Sequence, residues 1–231
     1  RRVGKSIIYN EEEVIGVGSA GTYVFRGYVR HTSRARHAVA VKRIARPPGE
    51  KGRDLVQLVE REVELMTALN QSPLVPFFHC WGITSSNVFI AQELCPESLR
   101  EHIARQPNLL AAKRIKLLKG VAEGIAWLHD DGKTQGCITH NDLKPENLLV
   151  TSNGKVKIAD VGLGVRLRKE EGDSDQYSLG TFSKYGISIV LAGRAPEILA
   201  RKPLTPAADI WAMGVVFFYV LTGFNSPFGE D

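Results

Sequence analysis

The sequence predicts an α+β protein in two parts: a small antiparallel β-sheet lobe with one helix, then a larger, mainly helical lobe. Three observations predict this fold class. Residues 3–46 alternate apolar and polar side chains between glycines, which is typical of antiparallel strands. From Ser98 onward, apolar side chains instead recur at helical spacing. Between the two patterns an apolar strand runs out towards Pro96, as at a hinge between lobes, so we divide the chain into residues 1–93 and 94–231.

Composition excludes several classes of protein. With 231 residues and 43% hydrophobic content, the chain can bury a core. Its longest apolar run, 212–221, is shorter than the roughly 20 residues of a membrane helix, so we expect no membrane contact by this segment. The cysteines Cys80, Cys95 and Cys137 lack disulfide or zinc spacing, which favours a reducing, cytoplasmic location. Because the sequence opens on Arg1 and stops directly after an apolar helix, we expect it to be part of a longer protein.

The charge balance favours a mixed, solvated surface. The net charge of +5 is small against 30 lysines and arginines and 25 acidic residues, so we expect no direct nucleic-acid binding from this segment. The densest basic stretch, residues 26–46, flanks a predicted hairpin. It is interpreted first as a loop face and second as an anion-binding patch.

The first element with chemical meaning is a glycine-rich turn. Residues 16–21 read Gly-Val-Gly-Ser-Ala-Gly and lie between the first two strands. Glycines let backbone amides approach phosphates without obstruction by side chains. The motif alone is weak evidence, since an ordinary hairpin turn explains it about as well.

A lysine and a glutamate strengthen the phosphate interpretation. Lys42 ends an apolar strand, where its ammonium group needs an anion such as a phosphate or a carboxylate. Residues 54–69 have helical periodicity and include three glutamates, Glu60, Glu62 and Glu64. Glu62 is the expected partner of Lys42 because it lies beside the apolar stripe. The alternative is three solvated glutamates on an exposed helix face.

The second half is predicted to be mainly helical. Residues 98–105 and 110–129 are predicted helices, and residues 147–159 form a predicted hairpin that turns at 152–154. Residues 163–194 lack periodicity and are predicted to be a long mobile loop. Residues 207–221 are apolar nearly all round, which predicts a buried central helix.

Most of the candidate reactive side chains lie between the predicted helices and the predicted hairpin. Residues 138–147 place the carboxylate of Asp142, the ammonium of Lys144 and the carboxamide of Asn147 on one loop, and Asp160 follows the second hairpin strand. Phosphoryl transfer needs a base that orients a hydroxyl, a cation for developing charge and oxygen ligands for magnesium. This set of side chains supplies all three.

The order of these motifs resembles that of the protein kinases, from Gly4 to the end of the chain. The series is the glycine-rich turn, strand lysine, helix glutamate, hinge, loop at 140–147, Asp160-Val161-Gly162, Ala195-Pro196-Glu197 and Asp209. Within it, Glu197 and Asp209 resemble structural anchors of the helical lobe rather than chemical groups. The resemblance implies a bilobal protein-kinase-like fold whose helical lobe is incomplete at the C-terminus, with ATP and Mg²⁺ as cofactors. We expect this truncated chain to be unstable or inactive.

The resemblance also implies roles for individual residues. Asp142 resembles the catalytic base, Lys144 the lysine that contacts the transferred phosphate in serine/threonine kinases, and Asn147 and Asp160 the magnesium ligands. Lys42, held by Glu62, would contact the α- and β-phosphates. The remaining ATP contacts are assigned to Gly16, Val17, Gly18, Ser19 and Gly21 over the phosphates, to Glu93 and Cys95 at the adenine edge, and to Val24, Ala40 and Leu149 on its faces.

A narrower resemblance is to the kinase part of the inositol-requiring stress sensors of the endoplasmic reticulum. Residues 3–7, 20–27, 92–95 and 217–229 carry it. It implies stress signalling, phosphorylation of a second copy of the chain in a possible homodimer, and a location on the cytosolic side of that membrane. Ser174, Ser178 and Thr181 are the expected phosphate acceptors, with unmodified loop residues as the alternative.

Three departures from the kinase pattern concern control of activity. Asn141 stands where many kinases have an arginine that grips a phosphorylated activation loop. Val161 replaces the usual phenylalanine. The segment from Asp160 to Glu197 is about a dozen residues longer than is usual for kinases. Either Gly193 marks the substrate-docking turn, or residues 182–194 are an insertion or the product of a faulty splice. These departures keep two alternatives open, a nucleotide-responsive switch and a pseudokinase scaffold.

Overall fold

The structure is a computed structural model of the chain. It describes residues 1–4, 6–18, 21–30, 36–134, 136–161, 165–167, 194–200, 202, 205–223 and 227–228. The chain divides into two compact units, Arg1–Cys95 and Pro96–Asp231. The division lies two residues after the boundary that we placed at residue 93.

The first unit is a six-stranded antiparallel sheet with one long helix. The spatial order of the strands is β1-β2-β3-β4-β6-β5. The elements are β1 (Arg2–Val3), β2 (Ile7–Val17), β3 (Tyr23–Arg30), β4 (Arg36–Ala45), α1 (Glu50–Leu69), β5 (Phe78–Ile83) and β6 (Asn87–Glu93). The predicted strands and helix are confirmed, although α1 begins at Glu50, four residues before the predicted start.

One face of this sheet forms the core of the first unit. Side chains alternate between the two faces of a strand, and the inward set on β3 and β4 includes Phe25, Val29, Val39 and Val41. The Tyr9 ring packs against Phe25, with the ring centroids 5.1 Å apart. The opposite face carries the next residue in each strand, and among these are Val24, Ala40 and Lys42.

The second unit is mainly helical and carries three small antiparallel strand pairs. Its elements are β7 (Glu97–Ser98), α2 (Leu99–Arg105), α3 (Ala111–His129), α4 (Asp131–Thr134), β8 (Cys137–Thr139), a 3₁₀ turn (Pro145–Asn147), β9 (Leu148–Val150), β10 (Val156–Ile158), β11 (Val165–Leu167), α5 (Pro196–Leu199) and α6 (Pro206–Thr222). Ser98 caps α2 in a reciprocal capping box with Glu101. The predicted hairpin is confirmed, because β9 and β10 pair from Leu148–Ile158 to Val150–Val156.

Two expectations for the second unit are corrected. Within the predicted loop 163–194, residues 165–167 form β11, which pairs antiparallel with β8. A three-residue strand takes its hydrogen bonds from its partner, so its own periodicity does not reveal it. The helix predicted to be buried all round, α6, has exposed apolar side chains: Ile210, Trp211, Phe218 and Leu221 are 49%, 38%, 38% and 54% exposed. Apart from 165–167 and Arg194, the predicted loop lies outside the described residues.

Candidate functional site

The glycine-rich turn joins β2 to β3, as predicted. Gly16 and Val17 end β2, and the Gly18 amide donates a hydrogen bond to the Thr22 carbonyl (2.9 Å) across the turn. Gly21 has φ 75°, a left-handed conformation that favours glycine. Val17 is 72% exposed, so the end of the strand projects into solvent. Ser19 lies outside the described residues.

Val24, Ala40 and Lys42 lie on the same face of the sheet. Val24 on β3 is directly opposite Lys42 on β4, and Ala40 precedes Lys42 by two residues. Ala40 is only 7% exposed, and Lys42 is half-buried. An apolar patch that can pack against a nucleotide base and a cation that can bind the phosphates of the nucleotide are therefore adjacent on this face.

Glu62 occupies the position on α1 that the sequence predicted for the lysine partner. It is half-buried, whereas Glu60 and Glu64 are exposed. Its neighbours on the packed side, Val59 and Met66, are 2% and 8% exposed. This burial favours Glu62 over the two other glutamates. The ion pair between Lys42 and Glu62 stays a prediction.

Glu93 and Cys95 end the first unit. The Glu93 amide donates a hydrogen bond to the Phe77 carbonyl (2.7 Å), and its carboxylate accepts one from the Phe77 amide (3.0 Å). The Glu93 N–H is thus engaged within the sheet, so an adenine edge would have to use other backbone groups of this segment. Cys95 is half-buried and lies two residues beyond the end of β6.

In the second unit, Asp142, Lys144 and Asn147 converge on one carboxylate. The Lys144 ammonium lies 2.7 Å from Asp142 Oδ2, and the Asn147 Nδ2 group donates to Asp142 Oδ2 (3.0 Å) and to the Asp142 carbonyl (2.8 Å). The Asp142 side chain is 23% exposed, and Asn147 is buried. The sequence predicted that these groups act together, and the structure brings them into contact.

His140 fixes the start of this loop from inside the unit. Its ring is fully buried, with Nε2 2.8 Å from the Ala159 carbonyl and Nδ1 3.2 Å from the Asp142 amide. A carbonyl can only accept and an amide N–H can only donate, so Nε2 carries the proton and Nδ1 is the acceptor. The histidine therefore ties Asp142 to the strand end that leads into Asp160.

Asp209 of α6 anchors the same loop from the other side. Its carboxylate is 1% exposed and accepts hydrogen bonds from the amides of His140 (2.7 Å) and Asn141 (2.9 Å). Oδ2 also lies 2.8 Å from His129 Nε2, at the end of α3. Sequence reasoning treated Asp209 only as a structural anchor and missed His129. A lone carboxylate in a nearly apolar helix was the available signal.

Asn147 and Asp160 are brought together by the β9–β10 pair. The Ala159 amide donates to the Asn147 carbonyl (2.8 Å), which sets Asp160 one residue beyond the position opposite Asn147. Asp160 itself has φ 57°, a left-handed conformation that aspartate tolerates. Leu149, the predicted adenine contact of this unit, is half-buried on β9 opposite Lys157 and Ser98.

The donor set at Asn147 and Asp160 fits magnesium. Both hydrogen bonds of the Asn147 carboxamide use Nδ2 as the donor, which leaves carbonyl Oδ1 as the atom that can ligate a cation. Together with the Asp160 carboxylate this makes an oxygen donor set, and Mg²⁺ commonly binds through one or two such groups plus phosphates and water. Within the described ranges, no group of three or more His, Cys, Asp or Glu side chains is placed to hold a metal ion.

The departures Asn141 and Val161 have defined structural roles. Asn141 has φ 64°, and its Nδ2 group donates to Thr139 Oγ1 (3.0 Å). Val161 is 4% exposed, so the smaller apolar side chain is still packed. Gly162, Gly193, the expected acceptors Ser174, Ser178 and Thr181, and the possible insertion up to residue 193 lie outside the described residues.

Two comparisons with known proteins bear on the site. The sequence model of the protein kinase domain matches residues 9–231.

In the part of the chain that the structure describes, no helix is both long and apolar enough to cross a membrane.

Several curated proteins are similar to the whole chain. It is 31% identical to a serine/threonine-protein kinase/endoribonuclease IRE1 of Oryza sativa subsp. japonica over 100% of its length, and 35% identical to the serine/threonine-protein kinase/endoribonuclease IRE2 of Homo sapiens over 99%. It is also 30% identical over 99% to the inactive serine/threonine-protein kinase PLK5 of Mus musculus. The chain spans about a quarter of the two kinase/endoribonucleases, 25% and 23% of their lengths, and 35% of the inactive kinase.

Proposed function

The chain belongs to the protein kinase domain family, and on that premise we propose that it is an ATP-dependent protein serine/threonine kinase. It would transfer the γ-phosphate of ATP to a serine or threonine hydroxyl of a protein substrate or of a second copy of itself. The observation that carries this proposal is the contact of Lys144 and Asn147 with the Asp142 carboxylate.

The proposed roles follow from the positions of these groups. The Asp142 carboxylate accepts the proton of the attacking hydroxyl, and its contact with Asn147 holds it in place for that acceptance. The Lys144 ammonium, 47% exposed, balances charge that develops on the transferred phosphoryl group. Asn147 Oδ1 and the Asp160 carboxylate would hold Mg²⁺, which supplies further charge neutralisation on the phosphates when it is bound.

The first unit would hold ATP. Gly16, Gly18 and Gly21 would offer backbone amides to the phosphates, with Val17 and Ser19 in the same turn. Lys42, oriented by Glu62, would contact the α- and β-phosphates. Val24 and Ala40 would cover the adenine, and the backbone of Glu93 and Cys95 would meet its edge. The shared face of Val24, Ala40 and Lys42 supports this assignment.

Incubation of a full-length kinase domain that contains this chain with γ-labelled ATP and Mg²⁺ tests the transfer. We expect Asp142→Asn to abolish incorporation of label into the protein and into a general substrate such as myelin basic protein, because the base is lost. Glu123→Gln is the matched control, since it removes an exposed carboxylate (side chain 55% exposed) from α3 of the same unit. Equal incorporation by the Asp142→Asn variant and the wild type would contradict the proposal.

A second candidate function is a nucleotide-responsive switch, in which ATP binding governs self-association and thereby an attached effector domain. Asn141 and Val161 favour it, since both differ from the usual kinase residues at positions next to the chemistry. The similarity to kinase/endoribonucleases and to an inactive kinase is compatible with it. In this proposal the effector would be a ribonuclease domain, and the protein would act in cytoplasmic stress signalling.

Sedimentation velocity with and without ATP separates the two functions. The switch predicts ATP-driven association that persists in the Asp142→Asn variant, because nucleotide binding does not need the base. A kinase without the switch predicts an unchanged oligomeric state together with phosphate transfer. Association that disappears with Asp142→Asn would count against the switch.

A further inference from the structure

The charge of this chain is unevenly distributed along the sequence. Residues 14–49 contain seven lysines and arginines and no aspartate or glutamate, although the net charge of the whole chain is only +5. Half of this stretch forms β3 and β4, which pair antiparallel from Tyr23–Arg43 to Arg30–Arg36. A single hairpin therefore carries more net positive charge than the whole chain.

The pairing register places three arginines of this hairpin on the face opposite the core, whereas Arg43 lies over the Phe25 ring on the other face. On β3, Arg26, Tyr28 and Arg30 alternate with the core residues Phe25 and Val29, so they project from the opposite face. All three are exposed, and Arg36 on β4 lies directly opposite Arg30 and is exposed as well. We name Arg26, Tyr28, Arg30 and Arg36 the arginine strip.

The Arg30–Arg36 pair is electrostatically unfavourable in the chain alone. Residues directly opposite on antiparallel strands have Cβ atoms about 5 Å apart, and like charges there destabilise the sheet. In the described part of the chain, neither guanidinium has a carboxylate within ion-pair distance. Arg26 has one partner, Glu13, at 3.5 Å with both side chains about half exposed. A bound anion between Arg30 and Arg36 would turn the repulsion into attraction.

The aromatic ring in the middle of the strip narrows the class of anion. Tyr28 is 43% exposed, with the small Ala38 opposite it on β4 and Ile8 opposite it on β2, so part of its ring is accessible. Along the strand, Arg26 and Arg30 lie on either side of this ring, about 7 Å from it each way. A row of cations with a stacking ring between them suits a polymer in which phosphates alternate with flat bases. A phosphorylated peptide would use the arginines but not the ring.

We propose that the arginine strip binds single-stranded RNA, with phosphates on the arginines and a base stacked on Tyr28. The tyrosine hydroxyl adds a hydrogen-bonding group beside the stacked nucleotide, where the ribose 2′-hydroxyl distinguishes RNA from DNA. The strip uses none of the residues assigned to ATP or to phosphate transfer. Total charge alone led us to expect no nucleic-acid binding, and the alignment of the arginines on one strand face is the reason to revise that expectation.

Fluorescence polarisation with a labelled oligouridylate of about a dozen nucleotides tests the proposal at several salt concentrations. We expect Arg30→Gln/Arg36→Gln to weaken binding roughly tenfold or more, and to reduce the slope of log Kd against log salt by about 1.4, which corresponds to two lost phosphate contacts. Tyr28→Thr should weaken binding roughly 5- to 100-fold with the slope unchanged, because stacking releases no counterions.

Matched controls decide between this site and general attraction. Arg53→Gln/Arg61→Gln removes the same charge from exposed positions of α1 and should leave binding nearly unchanged. Equal loss in that control would overturn the proposal, as would displacement of the RNA by saturating ATP. Equal affinity for a labelled oligodeoxyuridylate of the same length would overturn the assignment to RNA. Binding of a phosphopeptide that depends on Arg30 and Arg36 but not on Tyr28, with no RNA binding, would assign the strip to a phosphorylated protein instead.

Discussion

The proposed chemistry depends on Asp142, and neighbouring residues restrict how that side chain can point. Asn147 and Lys144 hold its Oδ2 atom, while its backbone amide donates to buried His140. The preceding residue, Asn141, has the left-handed φ of 64°. Such a conformation disfavours side chains other than glycine, asparagine and aspartate. The backbone conformation therefore restricts which residue can stand at position 141, where many kinases have an arginine.

Asn141→Ala should lower the free energy of unfolding by about 1–3 kcal/mol. Alanine is strained in the left-handed region, and the bond to Thr139 is lost as well. Asn141→Gly loses only the bond, because glycine adopts this backbone freely. Urea unfolding followed by circular dichroism measures both variants. A glycine variant that is less stable than the alanine variant would show that backbone strain is not the controlling factor.

The sequence predicts which side chains of the loop meet, but not the hydrogen bonds that hold the loop. Asp142, Lys144 and Asn147 are close in the chain, so their spacing alone predicts that they meet. The contacts of Asp209 with His140, Asn141 and His129 join positions 80 or fewer residues apart on three elements, and only the fold brings them together.

At the level of elements, α2 is tied to β7 by the Glu97 carboxylate. Glu97 contacts Arg105 Nε at 3.0 Å and His102 Nδ1 at 2.8 Å, and its side chain is 18% exposed. The Arg105 guanidinium, followed by His102, holds the pKa of the Glu97 carboxyl at about 2, against an ordinary value of 4.5. Because β7 pairs with β9, this network supports the strand that precedes the turn at Asn153.

The stabilisation by Glu97 should depend on pH. A carboxyl whose pKa is lowered by folding stabilises the folded state fully above its unfolded pKa, and loses that contribution as the pH falls towards the folded value. Glu97→Gln should therefore be less stable than the wild type at about pH 6, and the difference should shrink between about pH 4.5 and pH 2. Urea midpoints of both proteins across this range measure it. A difference that is constant with pH would contradict the assignment.

Replacing a glycine by alanine should have opposite effects on stability in helices α3 and α6. In α3, a Cβ at Gly124 would lie 2.6 Å from Ile158 Cγ1, against the strand that leads to Asp160. In α6, a Cβ at Gly214 would meet nothing within 4 Å among the described atoms. We expect Gly124→Ala to destabilise by about 1–3 kcal/mol through overpacking. Gly214→Ala should stabilise by up to about 1 kcal/mol, because alanine is the better helix former.

Thermal unfolding of the two variants measures whether Gly124→Ala destabilises the protein and Gly214→Ala stabilises it. The helix propensity gain is common to both sites, so the difference between the variants isolates the contact of α3 with β10. Equal stabilisation by both substitutions would mean that Ile158 moves aside at no cost.

An element can be predicted from the sequence when its own residues carry the pattern that stabilises it, and not when its stability depends on contacts with other elements. Long amphipathic segments such as α1 carry their own periodicity, so their existence is predicted to within a few residues. The short strand β11 depends on β8, and the exposed side of α6 depends on what packs around the helix. Neither is encoded in the local pattern. Apolar content alone could not separate a helix buried on one side from one buried on all sides.

For the whole molecule, we propose that ATP binds to the first unit and that a loop of the second unit carries out phosphate transfer. The family match covers both units, and the arginine strip belongs to the first alone. Binding of ATP, transfer of phosphate and binding of RNA should consequently be separable by substitution. We further propose that Asp142 and Asn147 act as one catalytic group.

A double-mutant cycle on the rate of phosphate transfer tests that claim most directly. Single-turnover rates at saturating ATP and Mg²⁺ would be measured for the wild type, Asp142→Asn, Asn147→Ala and the double variant. We expect each single substitution to slow transfer by about 10²- to 10⁴-fold, and the double variant to be hardly slower than the worse single variant, because residues that act as a unit are non-additive. Losses that simply multiply in the double variant, or single variants with wild-type rates, would contradict the account.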